Sequence, residues 1–508
     1  MDWHSIFDQA RADVVFLFPE AMLVFFGLAT LLTDFLLTKP QKSWNALTAM
    51  LGVLLSGASL WLLVRPAAEH LTAFSGSIVI DPFFIFFGSI LLAVTALAIL
   101  LSVRYLELED EQSGEYYGLL LFAATGMMFL VCGNDLVVLF VALETTAISF
   151  YVLTGYLTHE RRANEAALKS MLLGAFSTAV LAYGFSILYG IAGSTNLELI
   201  QRAVQQRHAD FPGADLLTFL ALATITAGLL FKIAAVPFHQ WAPDVDQAAP
   251  APVAAYISVG SKVAGFALLL RLFLTAFWPV NLDWAAVLAV AGVLSLTLGT
   301  FAAITQTNLK RLLAYSSIAQ AGYILLALVA GINRDGTLHQ RGLQATAFYI
   351  FTYAFFNAGA FGVIILLRRK GPNGDQTGDK IDDLSGLFYR NPTAAVLMLI
   401  FLLSLAGLPP TAGFVAKLLI FWSLLETGHP YLALAGALYI LPAVYYYFRI
   451  VAAMWTSDAS QPAQLPLVVT ATQKYALAAA AAITLAAGIF PEQFLRFAKY
   501  SILGSFGL

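Results

Sequence analysis

Residues 215–244 read DLLTFLALATITAGLLFKIAAVPFHQWAPD. From Leu216 to Val236 the run is apolar apart from hydroxyls and one lysine, Lys232, and its length suits a crossing of the hydrocarbon core, which takes about 20 helical residues. Lipid offers the backbone no hydrogen-bonding partner, so a lipid-exposed run of this kind must be helical. Pro237 then removes a backbone donor and breaks the helix, and a short polar stretch from His239 to Asp244 precedes the next apolar run. A bilayer-crossing helix that is interrupted within a bundle is the usual mark of a transporter's ion path.

Working outward, the same reading gives about fourteen spans, at 15–37, 44–64, 78–103, 117–133, 135–157, 169–192, 215–237, 253–278, 284–306, 310–331, 343–367, 394–427, 431–455 and 470–490. The fold expected is an all-α polytopic membrane protein, residues 1–508 forming a single membrane domain. The twelfth span is too long for one straight helix and holds Gly407, Pro409, Pro410 and Gly413, so it too breaks near its middle. Spans four to eight laid against nine to thirteen bring the breaks into register, Ala235-Val236-Pro237-Phe238 against Gly407-Leu408-Pro409-Pro410. Five spans per unit force the second copy to be inverted. The chain then divides into spans one to three (1–110), a first repeat (117–278), an inverted second repeat (284–455) and the last span with its tail (470–508).

Composition supports lipid as the solvent. Sixty per cent of the residues are hydrophobic and 11% charged, and mean hydropathy is +0.79. A net charge of -3 without a basic run excludes a nucleic-acid footprint. The one cysteine, Cys132, can neither close an internal disulfide nor hold an iron–sulfur cluster, and no Cys/His cluster has metal-ligand spacing, so any redox cofactor belongs to a partner. The amino terminus opens on Asp2, Asp8, Arg11 and Asp13 and not on a basic segment, so the first apolar stretch is read as a retained span. Lys39, Lys42, Arg104, Arg161, Arg162, Lys310, Arg311, Arg368, Arg369 and Lys370 fall in odd-numbered loops, which places those loops in the cytoplasm and both termini outside it. In a Gram-negative bacterium that is the periplasmic side of the inner membrane.

Once loop residues are subtracted, four ionisable groups stand deep in apolar helices: Glu144, Lys232, Lys262 and Lys417. A charge at the bilayer centre costs about 2.5–3.5 kcal/mol, so such groups face a protein interior or water and mark function. Desolvation makes a lysine release its proton more readily and a nearby carboxylate makes it hold on, which is the equipment of a proton relay. Gly228, Ser258 and Gly413 stand four residues before the three lysines, where a small residue lets a side chain pass. His239, just after the first break, either passes protons or bonds backbone freed there. Lys169 reads as an ion-paired snorkelling lysine after Glu165, and Asn357 as a path-lining or helix-packing amide. Asp81-Pro82 and Asn134-Asp135 read as helix N-caps.

Several motifs carry a family likeness: Asn134-Asp135-Leu136 with Glu144; Asn164-Glu165-Ala166-Ala167-Leu168-Lys169; Phe231-Lys232 through Asp244; Ser261-Lys262; residues 308–323, NLKRLLAYSSIAQAGY; and Gly407-Leu408-Pro409-Pro410-Thr411-Ala412-Gly413-Phe414 with Lys417. The chain resembles, over nearly its whole length, the proton-translocating antiporter-like subunits of NADH-quinone oxidoreductase, respiratory complex I. The resemblance implies a Glu144–Lys232 pair, a connecting Lys262 and a terminal Lys417, and a lysine at 417 points to the N-subunit branch. It also implies that NADH, flavin, iron–sulfur clusters and quinone are bound by partner subunits, with no cofactor or metal in this chain. Its partners would be the other membrane subunits and, through them, the hydrophilic redox arm. The run Asp244 to Pro252 departs from the family pattern, which more often has an aromatic and a Glu-Gly pair there. A subunit of a multi-subunit cation/proton antiporter, with the same fold and no redox reaction, is the competing reading.

Overall fold

The computed structural model describes residues 13–67, 71–111, 113–211, 213, 215–367, 369–370, 376–456 and 469–506. The amino-terminal acids up to Arg11, with Arg368 and Leu508, lie outside them. Eleven helices among the described residues are each long and apolar enough to cross a membrane. In chain order the helices used below are α1 Phe18–Leu36, α2 Trp44–Ser59, α3 Pro82–Glu109, α4 Gly114–Cys132, α5 Leu136–Thr154, α6 Arg161–Ala192, α7 Leu197–Asp210, α8 Leu216–Lys232 and α9 Trp241–Ala248. They continue as α10 Ala251–Leu274, α11 Asn281–Ile304, α12 Leu309–Val329, α13 Gln340–Leu367, α14 Pro392–Ala406, α15 Ala412–Glu426, α16 Pro430–Trp455, α17 Ala471–Ile489 and α18 Pro491–Leu503. All fourteen expected segments are helical. The seventh and twelfth are the interrupted ones, made of α8 with α9 and α14 with α15.

The first break begins earlier than Pro237. Helix α8 ends at Lys232, because a proline at 237 has no N–H to close on the Ile233 carbonyl, and Ala234 turns to φ +55°. The polar stretch from His239 to Asp244 becomes helical at Trp241, the start of α9. The third span starts at Pro82, since Ile78–Ile80 pairs as a strand with Leu71–Ala73, and it runs on to Glu109.

Besides α9, two amphipathic helices were not read from the sequence. α7 is amphipathic, burying only Leu197, Ile200 and Val204 on one stripe, so it gives no apolar run to detect. Arg207 at its end pairs with Asp215 at 2.7 Å. That hydrogen bond holds the Asp215 carboxyl down to about 2 while Asp215 also caps α8 through Thr218 N–H. α18 follows α17 after a bend of 92° and is equally amphipathic.

Helices α10, α12 and α13 are the centre of the bundle, each 94% buried across its most apolar window, whereas the windows containing α1 and α16 are only 28% buried and turn large apolar side chains outward. Lys262, Ser317, Gln320, Tyr353 and Asn357, polar residues of these three helices, are accordingly buried in protein.

Candidate functional site

The three lysines singled out from the sequence sit at the two breaks and between them. Lys232 is the last residue of α8. Its ammonium donates to Thr178 Oγ1 of α6 at 3.2 Å. It borders a cavity of about 60 Å³ whose polar lining is Thr146, Tyr151, Thr154, Ser170, Lys232 and Ser261, room for a few waters. The freed backbone is taken up locally, Trp241 Nε1 donating to the Phe231 carbonyl at 2.9 Å and Val236 N–H to Ser295 Oγ at 2.9 Å. Glu144 on α5 lies within the electrostatic field of Lys232, but no direct ion pair closes between them, and its buried Oε1 has no hydrogen-bond partner.

Lys262 lies on α10 directly after a widened turn, Ile257–Ser261, with π-type bonding of the kind that recurs at functional sites. It is buried and donates to Ser317 Oγ of α12 at 2.5 Å. Tyr353 of α13 presents its ring 5.9 Å away and donates its hydroxyl to the Ser258 carbonyl at 2.9 Å. Asn357 Nδ2 donates to Ser258 Oγ at 3.3 Å and to the Tyr353 hydroxyl at 3.0 Å, while its buried Oδ1 is unpartnered.

Lys417 lies one turn into α15 and is held by the second break itself. The carbonyls of Leu405 and Ala406 would normally accept from residues 409 and 410, and both of those are proline. Lys417 Nζ donates to both carbonyls at 3.0 Å, a cation on the negative end of α14. Gly407 leaves space for this: its φ is +82°, and a Cβ there would stand 2.6 Å from Lys417 Cδ. Tyr323 covers the ammonium with its ring at 4.5 Å. The small residue at 413 has a different purpose, since its N–H meets Ser404 Oγ at 3.0 Å where α14 and α15 touch. Gly228 likewise packs against Leu181 of α6.

Between Lys262 and Lys417 runs a chain of hydroxyls and one amide that sequence reading did not single out. Ser317 accepts from Lys262, Ser316 next to it in the chain bonds the Tyr447 hydroxyl, Gln320 donates to that hydroxyl at 3.3 Å, and Gln320 also donates to the Leu405 carbonyl at 3.0 Å, which Lys417 shares. Tyr349 donates to Gln320 Oε1. Gln320 and the serines were legible as polar residues within the apolar α12; Tyr447 enters from α16 and was not.

Lys169 is half-exposed, paired with Glu165 at 2.7 Å and Asp244 at 3.7 Å. His239 is half-buried, its Nδ1 unpartnered, and it does not line the Lys232 cavity. Of the four charges read within apolar helices, Lys262 and Lys417 are buried and Glu144 and Lys232 partly so, and the structure buries others. Arg271 on α10, Glu20 on α1, Lys310 on α12 and Asp246 on α9 are all buried as well. Asp81 caps α3 by accepting from Phe84 N–H at 2.8 Å and also pairs with Arg271 at 2.5 Å, under the rings of Phe83 and Phe506. Arg271 was overlooked because it stands near the predicted end of its span. Glu109, His159 and Glu160 bring one ligand atom each within 4.8 Å at the helix ends, close enough to share a cation.

A family model described as NADH:quinone oxidoreductase/Mrp antiporter, TM, matches residues 133–441. The chain is 47% identical over 500 residues to NADH-quinone oxidoreductase subunit N 1 of Koribacter versatilis, covering 97% of this chain and 96% of the relative. It is 38% identical to NADH-quinone oxidoreductase subunit N of Trichlorobacter lovleyi, with 98% of each covered. A chain of respiratory complex I from Thermus thermophilus superposes with a TM-score of 0.75 at 32% identity, over 95% of this chain and 99% of that one. A chain of the Mrp complex from Dietzia shares the fold, with a TM-score of 0.82 at 19% identity over 97% of each.

Proposed function

The chain belongs to the NADH:quinone oxidoreductase/Mrp antiporter transmembrane family, and we propose that it is the N-type membrane subunit of a proton-pumping NADH-quinone oxidoreductase. Electron transfer from NADH to quinone takes place in partner subunits that hold the flavin, the iron–sulfur clusters and the quinone; this chain moves protons. The observation that carries the reading is the row of amines Lys232, Lys262 and Lys417, with the hydroxyls of Ser317, Ser316 and Tyr447 and the Gln320 amide lying between the last two in otherwise apolar helices. A structural clamp needs fixed ion pairs, and none of these three lysines closes one among the described residues. Each has instead neutral acceptors that tolerate either protonation state.

Glu144 acts on Lys232 at a distance: an ionised carboxylate favours the ammonium, and its neutralisation favours release. A proton passes Lys262 and leaves at Lys417, with Asn357 and the cavity at Lys232 completing the line. Spans four to eight and nine to thirteen form the two inverted units, each with its lysine at the break. The odd-numbered loops face the cytoplasm of a bacterial plasma membrane. The higher identity to subunit N relatives favours this reading over a cation/proton antiporter, whose likeness is one of fold.

The test is purification of the tagged chain from its own membranes, with NADH-driven proton uptake measured in inverted vesicles. The expected result is co-purification with flavin and iron–sulfur proteins, and loss of uptake in an assembled Lys232→Arg variant, because a guanidinium does not give up its proton. Purification without redox subunits, together with sodium/proton exchange in vesicles, would establish the antiporter instead.

A further inference from the structure

Helix α9 presents two acidic residues to two different surroundings. Asp244 and Gln247 face a polar cleft of about 340 Å³ whose wall includes Glu165, Lys169, Lys310 and Asp379, and both accept from Arg311, at 2.7 and 2.9 Å. Asp246 follows Asp244 by two positions, about 200° around the helix, and so points the other way, into the bundle. It is 2% exposed.

What Asp246 meets there is the centre of the lysine row. Its carboxylate stands in the field of the Lys262 ammonium and, less strongly, of the Lys310 ammonium, beside the Ser258 hydroxyl. Lys310, on α12, has its amine at the cleft wall, donating to the Ala249 carbonyl at 3.1 Å and standing 3.5 Å from Asp379 of the cleft rim. Asp379 reaches solvent, with about a third of its side chain exposed. The other elements around α9 offer Ser258 and Lys262 from α10, Arg311 and Ser317 from α12, and Glu165 and Lys169 from α6, the last two already paired with each other or with Asp244. Asp246 is thus the buried carboxylate that answers Lys262, and the group between Lys262 and the cleft.

We infer that Asp246 is a further proton-relay residue, the carboxyl through which protons pass from the Lys310 cleft to Lys262. The step changes no bond between heavy atoms. The O–H bond of the Asp246 carboxyl breaks and its proton bonds to the neutral amine of Lys262, giving a carboxylate and an ammonium. The carboxylate then takes a proton from Lys310, which regains it from water in the cleft. The pair carries the same net charge before and after its internal transfer, so only the separation of charge changes within the apolar surroundings. The inference rests on the proton-pump reading and adds to it the entry route.

The experiment compares three variants in the whole complex, in inverted vesicles, with complex abundance measured beside NADH-driven proton uptake. Asp246→Asn keeps the shape and removes the exchangeable proton; the expected uptake falls about tenfold or more at normal abundance. Asp246→Glu restores an acid and is expected to recover much of it, which a packing role for an amide-sized side chain does not require. Lys417→Met is the control for the pump reading. If Lys417→Met abolishes uptake while assembled Asp246→Asn pumps at the wild-type rate, the entry route is wrong and the pump reading stands; if neither variant changes uptake, the pump reading fails first. Should Asp246→Asn not assemble, the wild-type complex is treated with dicyclohexylcarbodiimide, which modifies protonated carboxyls in apolar surroundings. Adduct at Asp246, located by peptide mass spectrometry, supports a proton-bearing group, and an unmodified Asp246 overturns the proposal.

Discussion

Lys417→Met separates a relay from a clamp, because the two give opposite signs for stability. Lys417 is 2% exposed and no carboxylate pairs with it among the described residues. Removing an unpaired charge from the middle of an apolar bundle returns about 2.5–3.5 kcal/mol on insertion scales. Against this stand the two carbonyls it caps. Leu405 keeps the bond from Gln320 at 3.0 Å, so only the Ala406 carbonyl is orphaned, at about 1–3 kcal/mol. Methionine fills nearly the same volume beside Gly407 and Tyr323. The balance runs from about 2.5 kcal/mol more stable to about 0.5 kcal/mol less stable than wild type. The variant complex is therefore expected to assemble fully, with a thermal midpoint in detergent at or above that of wild type, yet to lose proton uptake. Lys417→Arg, which keeps the charge, is expected to lose uptake too, since deprotonating a group with a pKa above 12 at pH 7 costs about 7 kcal/mol. Wild-type uptake in an assembled Lys417→Met complex would refute the reasoning, and so would a loss of abundance that matches the loss of uptake.

Glu144→Gln keeps the side chain's shape and removes the field that favours the Lys232 ammonium, so vesicle proton uptake should fall while complex abundance stays near normal; equal losses of both would make Glu144 a packing residue. Arg271→Ala leaves Asp81 buried and unpaired, with an expected loss of about 3–5 kcal/mol, read as low complex abundance in membranes. Asp81→Asn should be milder, because the amide still caps α3 and accepts from Arg271. For orientation, a reporter active only outside the cytoplasm should work when fused after Leu508 and fail in the loop around Gly374, two points outside the described residues; the reverse pattern would invert the proposed topology.

The membrane class, the succession of apolar helices and both interruptions could be read from the sequence because each depends on one-dimensional rules. Lipid thickness sets the length of an apolar run, and proline removes a donor wherever it stands. The three lysines were visible for the same reason: a charge in such a run is anomalous whatever surrounds it. The Pro409-Pro410 pair even specified which carbonyls lose their partners. What accepts or donates in their place needed three dimensions. Lys417 reaches Leu405 and Ala406 only because α15 folds back on α14, and Gly407, not Gly413, gives it room. Glu144 and Lys232, a pair by resemblance, close no direct ion pair, and Thr178 of α6 accepts the lysine's hydrogen bond instead. Amphipathic α7 escaped because a helix on the bundle's surface needs only a narrow apolar stripe. Asp246 was passed over in a run marked only as departing from the family pattern, since a carboxylate near a helix break looks solvent-exposed in the sequence. Only the turn of α9 decides that Asp244 meets the cleft and Asp246 meets Lys262, because two residues on a helix differ by more than half a rotation, and burial follows direction rather than position in the chain.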